Sequence, residues 1–269
     1  MCKTILITGA TDGIGKATAE HLSAAGHKVI IHSRYAEKGE RVVSEIQQKT
    51  GNTTLKFVTA DLCKLPDIQK MVDKLFSNTK KIDVLINNAG VYRVEKNILQ
   101  NGMEESFMIN YLAHFYLTTK LLPLLKKSLP ARIINISSMI HGSDIDFNNL
   151  QGDKYFSGSS AYSLSKLCNI LFTYKLADKL IDSRITVNAA HPGVINTKLL
   201  IAGWGAVGED AKYAAERLSY LAINKELQNV TGKYFVNSRQ TRSTSISYNK
   251  NIQNKLWEVS NNLIERMGE

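Results

Sequence analysis

The chain has 269 residues, of which 43% are hydrophobic, 17 are glycine and only 4 are proline. This composition supplies a large apolar core and argues against an intrinsically disordered chain. The formal net charge is +10, but the basic residues are scattered, without a basic stripe interleaved with aromatic residues, so we predict a solvated basic surface and no nucleic-acid partner.

The cysteines and the N-terminus bear on the cellular compartment. Cys2, Cys63 and Cys168 are odd in number and widely spaced, which favours a reduced compartment and argues against a disulfide framework or a metal site. No apolar run approaches the roughly 18 residues of a membrane span. The chain enters a strand-like run directly after Met1, without a signal-peptide pattern. We therefore expect a soluble, cytoplasmic protein.

Short β-branched runs alternate with amphipathic segments along the whole chain. The predicted strands are residues 3–8, 28–33, 55–60, 83–88, 131–137, 184–190 and 232–237. The predicted helices are residues 14–25, 36–49, 68–78, 103–127, 161–180, 210–223 and 252–267. Continuous apolar strands between amphipathic helices are typical of a parallel sheet covered on both faces. Residues 1–269 are thus predicted to form one α/β domain, a doubly wound Rossmann fold with a central seven-stranded parallel sheet.

The first strand leads into the first helix through TGATDGIGKA, a glycine-rich turn. A phosphate at a helix N-terminus meets free N–H groups and the positive end of the helix dipole, and side chains would block its approach. Gly9 would allow the sharp turn, Gly13 the approach of the ligand and Gly15 the packing of helix on strand. Because the turn opens a βαβ unit, it predicts dinucleotide binding.

The end of the second strand, VIIHSRYAEKG, bears on the choice of nicotinamide cofactor. NAD enzymes place an acid there for the ribose hydroxyls, whereas NADP enzymes place a cation for the 2′-phosphate. Ser33 occupies the acid's position and Arg34 follows it, with Lys38 nearby, while Glu37 falls at a helix start. The pattern favours NADP(H) over NAD(H), the alternative being that Arg34 is an ordinary surface residue.

A tyrosine and a lysine four residues apart are candidates for proton transfer. The chain contains three such pairs: Tyr92/Lys96, Tyr116/Lys120 and Tyr162/Lys166. Tyr162 and Lys166 would lie on one face of a helix start, among small residues. The ammonium would lower the pKa of the phenol and let it serve a carbonyl that accepts a hydride. The other pairs lack this setting, so Tyr162 and Lys166 are the predicted catalytic pair.

Five motifs in order resemble those of the short-chain dehydrogenases/reductases. TGATDGIG at residues 8–15 is similar to the family's cofactor turn, and NNAG at 87–90 to its fourth-strand motif. The serines at 137–138, YSLSK at 162–166 and HPGVINT at 191–197 follow in the family's order. The resemblance covers nearly the whole chain and implies an oxidoreductase that transfers a hydride between nicotinamide and a carbonyl or alcohol.

The resemblance implies four catalytic residues: Asn110, Ser138, Tyr162 and Lys166. Strand alternation turns only one of Ser137 and Ser138 toward the site, and the family motif gives the role of holding the carbonyl to Ser138. Asn110 would hold a water that connects Lys166 to solvent, or else it is a buried asparagine satisfied by the backbone. Lys166 would also donate to the nicotinamide ribose.

The resemblance also implies the cofactor contacts: Thr8, Gly9, Asp12, Gly13, Ile14, Gly15, Ser33, Arg34, Asp61, Leu62, Asn88, Ala89, Gly90, Tyr162, Lys166, Pro192, Gly193, Ile195 and Thr197. Asp61 would contact adenine, or else cap a helix. Ile195 would shield the nicotinamide face, and Thr197 would contact its amide or a phosphate. His114 and His141 are expected to be structural or surface residues.

The segment between Ser138 and Tyr162 resembles that of the retinol dehydrogenase-like subgroup, which includes the WW-domain oxidoreductases. KLLIAGWGAVGED, after Thr197, is interpreted as a mobile apolar lid over a lipophilic aldehyde or ketone, or else as a surface loop. Candidates for the wall of the pocket are Met139, Tyr155, Phe156 and Trp204.

Two other classes of function stay open. A nucleotide-sensing protein would keep the cofactor fold without turnover, although it would not need the four catalytic residues. A nucleic-acid binder would use the basic surface and bind less tightly as salt rises. The resemblance implies a small-molecule substrate and a homodimer or homotetramer.

Overall fold

A single sheet with helices on both faces makes up the structure, a computed structural model that describes residues 2–205 and 208–268. The strands within these ranges are β1 (Thr4–Ile7), β2 (Lys28–Ser33), β3 (Lys56–Thr59), β4 (Val84–Asn87), β5 (Ala131–Ile136), β6 (Ile185–His191), β7 (Lys233–Val236) and β8 (Arg239–Thr241). The helices are α1 (Gly13–Ala24), α2 (Ala36–Thr50), α3 (Leu65–Asn78), α4 (Glu105–Phe107), α5 (Ala113–Lys126), α6 (Gly158–Lys179), α7 (Lys198–Trp204), α8 (Ala211–Ile223) and α9 (Lys250–Gly268).

The strand order is β3-β2-β1-β4-β5-β6-β7-β8. The first seven strands pair in parallel, which confirms the predicted doubly wound fold. The eighth, β8, is antiparallel to β7. The sequence pattern does not predict it, because Arg239–Thr241 is polar and exposed and is placed by a turn in which Asn237 and Ser238 have φ of 49° and 66°.

The alternation of side chains along β1 divides the core into two layers. Leu6 points to the layer that contains Leu85 and faces α3, α5 and α6. Its neighbours Ile5 and Ile7 point to the opposite layer, with Val84, against α1, α2 and α8. Because successive residues of a strand face opposite sides, an apolar residue is needed at every position of a central strand.

Helix α9 covers the layer on the α5 and α6 side. Leu256 of α9 is buried, and the ring of Trp257 lies 4.9 Å from that of Phe115, centroid to centroid. The hydroxyls of Tyr111 and Ser260 are hydrogen-bonded at 2.6 Å. Within the described ranges, no helix combines the length and the apolarity needed to cross a lipid bilayer.

The predicted helix 103–127 is divided in the structure. Glu104 caps α4 by accepting hydrogen bonds from the N–H groups of Ser106 and Phe107. A π-helical turn, Met108–Leu112, then joins α4 to α5. Such turns widen a helix locally and are frequent at functional sites; this one contains Asn110.

Candidate active site

A cavity of about 690 Å³ lies at the carboxyl edge of the sheet, where β1 and β4 are neighbours. The chain leaves β1 toward β2 and β3 on one side and returns to β4 on the other, and ligands of such sheets bind at this reversal. The cavity brings together most of the predicted residues: Gly9, Asp12, Gly13, Ile14, Gly15, Arg34, Asp61, Leu62, Asn88, Ala89, Gly90, Ser138, Tyr162, Lys166, Pro192, Gly193, Ile195 and Thr197.

Three predicted residues, Thr8, Ser33 and Asn110, are not among the residues that line the cavity. Ser33 is buried, and its hydroxyl donates to the main-chain oxygen of Tyr35 at 2.7 Å. That bond fixes the start of α2 and directs the Ser33 hydroxyl away from the cavity. Thr8 and Asn110 lie behind the wall, where they organise the backbone.

The glycine turn leaves space for a phosphate and none for side chains. Gly9 has φ of +63°, and a Cβ on it would lie 2.7 Å from Cα of Ala89. A Cβ on Gly15 would lie 2.5 Å from the main-chain oxygen of Gly9. The turn ends at the N-terminus of α1, where Asp12 is the N-cap. These features fit the pyrophosphate of a dinucleotide.

Thr8 joins the two strands that flank the reversal. Its Oγ1 accepts hydrogen bonds from the N–H groups of Asn88 at 2.8 Å and Ala89 at 2.9 Å. Since the oxygen already accepts two protons, its own proton is directed to Nε2 of His114 at 3.0 Å. Nδ1 of His114 then donates to the main-chain oxygen of Asn110 at 3.1 Å. His114 is thus a structural residue, as expected, and it connects the glycine turn to the π-helical turn.

His32 supports the backbone of the glycine turn. The sequence does not indicate it as a site residue. The N–H of Gly9 donates to Nδ1 of His32 at 3.1 Å, so Nε2 carries the ring proton and donates to the main-chain oxygen of Ala60 at 3.0 Å. Burial lowers the pKa of His32 to about 4, which keeps the ring neutral and able to accept. A histidine in an apolar strand carries no local signal of this role.

Arg34 and Asp61 meet beyond the ends of β2 and β3. The Nη2 of Arg34 lies 2.9 Å from Oδ2 of Asp61, and the Arg34 side chain is half exposed. Burial alone would raise the pKa of Asp61, but the N–H of Cys63 and the Arg34 guanidinium together hold that pKa below its usual range. A cation and an acid therefore stand side by side where the adenosine half of a dinucleotide would end.

Tyr162 and Lys166 lie on the first turns of α6, which begins with a capping box between Ser157 and Ser160. Both catalytic candidates are buried, and Nζ of Lys166 donates to the main-chain oxygen of Ile136 at 3.1 Å. Nζ lies 5.4 Å from the centre of the Tyr162 ring. The spacing therefore places both groups on one face, as predicted.

The electrostatics of this pair differ from the expectation. Burial raises the pKa of Tyr162 to about 12, opposed by a hydrogen bond with Ser138. Burial also lowers the pKa of Lys166 to about 8. The predicted lowering of the phenol's pKa by the ammonium is therefore not found in this structure, because desolvation of the phenolate is the larger effect. The phenol is protonated at neutral pH and can donate.

The two adjacent serines, Ser137 and Ser138, have different partners in the structure. The Ser137 hydroxyl donates to the main-chain oxygen of Lys166 at 2.7 Å. Ser138 lies next to Tyr162, and its main-chain oxygen accepts from the hydroxyl of Tyr234 at 2.9 Å. Nδ1 of His141 contacts the same oxygen at 2.7 Å. Tyr234 and His141, which the sequence did not indicate, thus hold the Ser138 backbone from behind.

Asn110 is fully engaged with the protein. Its Oδ1 accepts from the N–H of Val91 at 2.7 Å, and its Nδ2 donates to the oxygen of Val91 and to Oγ of Ser165. Its own main-chain oxygen accepts from Nδ2 of Asn169 at 2.9 Å. The contacts correspond to the alternative of a buried asparagine satisfied largely by the backbone.

The mouth of the cavity is apolar. Met139 and Trp204 line it, as predicted, whereas Tyr155 and Phe156 line a separate cavity together with other residues of the 142–160 segment. The predicted lid forms the short helix α7 up to Trp204, and none of the residues of α7 is buried. The lid prediction also includes Ala206 and Val207, which lie outside the described residues.

The arrangement combines a phosphate-binding turn, a cation at the adenosine end, and a buried phenol beside a serine and a lysine.

Comparisons with known proteins agree with this arrangement. A family model described as short chain dehydrogenase matches residues 3–203. Retinol dehydrogenase 13 of Mus musculus is 37% identical over 279 residues, which cover 97% of this chain and 84% of the mouse protein. Polyprenol dehydrogenase of Homo sapiens is 36% identical over 277 residues, covering 96% of this chain and 84% of the human protein.

A solved structure carries the same fold. The short chain dehydrogenase of Shigella flexneri, complexed with NADP, has a TM-score of 0.70 and 26% identity, with 88% of this chain and 97% of that chain covered. The family match, the two relatives and this fold agree with the order of motifs along the sequence. The chain belongs to the short-chain dehydrogenase/reductase family of oxidoreductases, in its retinol dehydrogenase-like subgroup.

Proposed function

We propose that the protein is an NADP(H)-dependent oxidoreductase that transfers a hydride between nicotinamide and the carbonyl or alcohol of a lipophilic aldehyde or ketone. The observation that carries the proposal is the placement of Ser138, Tyr162 and Lys166 in the same cavity as the glycine turn. A bound nicotinamide would supply or accept the hydride, and the protein residues would handle the proton and the position of the carbonyl.

Ser138 and Tyr162 act on the carbonyl oxygen in this proposal. The Ser138 hydroxyl holds the oxygen, and the Tyr162 phenol gives it a proton as negative charge develops there. With its pKa raised to about 12, the phenol is protonated at neutral pH, which suits reduction. Lys166, whose pKa is lowered to about 8, is still largely an ammonium at pH 7 and offsets the charge that remains on Tyr162.

The preference for NADP(H) is supported by Arg34, the cation beyond β2. Its half-exposed guanidinium is hydrogen-bonded on one side to Asp61 and has further N–H groups for a phosphate. Ser33, which the sequence also suggested as a ligand, has its hydroxyl engaged with Tyr35, so Arg34 carries this proposal by itself. The NADP complex of the Shigella flexneri protein is consistent with it.

The lipophilic substrate is supported by the mouth of the cavity. Side chains that line the cavity and are more than one-third exposed include Met139 at 56%, Ile140 at 44%, Val194 at 48% and Trp204 at 40%. Exposed apolar side chains gathered around one cavity are typical of a site for an apolar ligand. The names of the relatives, retinol dehydrogenase 13 and polyprenol dehydrogenase, point to apolar substrates as well.

The direct test is oxidation of NADPH and of NADH, followed by absorbance, with a panel of lipophilic aldehydes and ketones. We expect turnover with NADPH, and a loss of about 100-fold or more in kcat for Tyr162→Phe, because the phenol is the proton donor. Tyr155→Phe, on the separate cavity, is the matched control and is expected to keep full activity. Tight NADPH binding without turnover, in both reaction directions, would instead indicate a nucleotide-sensing protein.

A further inference from the structure

Three aromatic rings meet beside the reacting hydroxyl. The centroid of the Tyr162 ring lies 5.5 Å from that of Trp204 and 5.8 Å from that of Tyr92. The rings of Tyr92 and Trp204 are 4.8 Å apart and inclined at 58°. We call these three residues the aromatic cluster. The centroid distances lie in the range of favourable tilted and edge-to-face pairs.

The backbone around the aromatic cluster is arranged to bring the rings together. A Cβ on Gly203 would lie 3.4 Å from three atoms of the Tyr92 ring, so the glycine lets α7 approach that ring closely. Tyr92 follows the β4 motif, and Tyr162 belongs to α6. Three separate segments of the chain therefore converge at one point, and none of the pairs follows from local sequence.

Only part of the aromatic cluster faces the substrate. Trp204 and Tyr162 line the cavity, and Trp204 is 40% exposed, whereas Tyr92 lies behind them. Tyr92 and Trp204 are too close for a flat ring to enter between them. We place the substrate along the Trp204 indole, with its carbonyl at the hydroxyls of Ser138 and Tyr162, because these three residues line the same cavity. Tyr92 is thus a positioning residue for Trp204.

We propose that the substrates are aryl carbonyls, in which an aromatic ring is attached directly to the carbonyl carbon. This inference rests on the proposed function and narrows its substrate class. A ring attached to the carbonyl carbon lies within reach of the indole when the oxygen is at Tyr162, whereas a saturated ring in the same place offers no quadrupole to it. Met139, which also lines the cavity, is a side chain that contacts aromatic rings favourably.

In the reduction, a bound NADPH would supply the hydride for the new C–H bond at the carbonyl carbon as the C=O π bond breaks. The oxygen takes its proton from Tyr162, which is replenished from solvent. The aryl carbonyl is reduced to an aryl carbinol and NADPH is oxidised to NADP⁺. No further reductant is needed.

The test compares benzaldehyde with cyclohexanecarboxaldehyde, which have the same number of carbon atoms. The quantity measured is the ratio of their kcat/KM values in wild type and in Trp204→Leu, because the intrinsic reactivity of each aldehyde cancels between the two proteins. We call the ratio of kcat/KM for benzaldehyde to that for cyclohexanecarboxaldehyde the aryl preference. We expect it to fall about 2- to 10-fold in Trp204→Leu, which is the effect expected from the loss of one aromatic pair. Since Trp204 is 40% exposed and no side chain of α7 is fully buried, this variant is expected to fold, which the thermal midpoint checks.

The positioning role of Tyr92 is tested with two variants, one that removes the ring and one that keeps it. Tyr92→Leu is expected to lower the aryl preference, and Tyr92→Phe, which keeps the ring, to retain it. Tyr155→Leu, an exposed tyrosine of the separate cavity, is the control. An aryl preference that is unchanged in Trp204→Leu would overturn the inference.

A second readout separates this inference from the proposed function. Calorimetric titration of the two aldehydes into protein saturated with NADP⁺ measures binding without turnover, because the oxidised cofactor has no hydride to give. If no aldehyde is reduced, the proposed function fails. The inference is then judged by binding: an aryl-over-cyclohexyl affinity ratio that Trp204→Leu abolishes supports it, and an equal ratio in both proteins refutes it.

Discussion

Individual charged residues define the two ends of the cofactor cavity. At the adenosine end Arg34 is paired with Asp61. At the glycine turn Asp12, an acid where a phosphate would approach, is neutralised by Lys198, with Nζ 2.7 Å from its Oδ2, and by Lys38 at 3.8 Å. The turn motif predicts Asp12 as a contact, but its partners cannot be read from the sequence, because Lys198 is 186 positions away.

Arg34 is expected to bind the 2′-phosphate of NADPH. For Arg34→Ala we expect the preference for NADPH over NADH, measured as the ratio of kcat/KM values, to fall about 10- to 100-fold, since hydrogen bonds to charged groups contribute about 1.5–3 kcal/mol. Arg41→Ala is the matched control, because Arg41 is an exposed cation on the neighbouring helix. A preference that survives intact in Arg34→Ala would show that another group reads the 2′-phosphate.

The site residues that can be predicted from the sequence are those that belong to a motif with fixed spacing. The Tyr162/Lys166 pair, the glycine turn and Asp61 have local signals, so sequence alone points to them. The choice between Ser137 and Ser138, the support from Tyr234 and the pKa of Tyr162 depend on burial and on contacts between distant segments. These properties arise only when the strands are assembled.

The sequence predicts the central strands and the amphipathic helices because each carries an unbroken periodic pattern. The pattern does not predict the π-helical turn within residues 108–112, nor the helix α7. Helix α7 has no buried face, so it lacks the periodicity that would identify it. The boundaries of α6 and α9 differ from the prediction by three residues or fewer at each end.

Helix α9 is held to the core by Leu256. Leu256 is 1% exposed, in the layer that α9 shares with α5 and α6. We expect Leu256→Ala to lower the free energy of unfolding by about 2–5 kcal/mol, through lost burial and the cavity left behind. Chemical denaturation followed by circular dichroism measures it. Glu258→Ala, at an exposed position of the same helix, should change the stability by less than about 0.5 kcal/mol; a similar loss in both variants would contradict this packing role.

For the whole molecule, three buried histidines are expected to make the free energy of unfolding depend on pH. Burial lowers the pKa of His32 to about 4, of His114 to about 3 and of His191 to about 4. In the unfolded chain these rings bind protons near pH 6.5, whereas the folded protein excludes them until a lower pH. The unfolded state therefore binds more protons between about pH 6.5 and 4, so stability falls as the pH falls through that window.

Each histidine is expected to lower the free energy of unfolding by up to about 1.4 kcal/mol for each pH unit within that window. Urea unfolding at pH 7.5 and pH 5 measures it, above the range in which carboxylates titrate. His114→Gln should show a smaller loss between the two pH values than wild type, and His21→Gln, on the exposed face of α1, the same loss as wild type. If His114→Gln loses as much stability between pH 7.5 and pH 5 as wild type does, protonation of His114 does not contribute to the pH dependence.

Helix α7 contributes a wall of the cavity, through Leu199, Leu200 and Trp204, but no side chain to either core layer. Substrate choice and folding are therefore encoded in different parts of the chain. Apart from Gly203 and Trp204, which contact Tyr92, substitutions in α7 are expected to cost little stability, so this segment tolerates changes that the sheet beneath it does not. For engineering, the same separation makes Leu199, Leu200, Ile201 and Ala202 candidates for a randomised library whose members are expected to remain folded, with Lys198 kept for its ion pair with Asp12 and with Gly203 and Trp204 kept for the aromatic cluster.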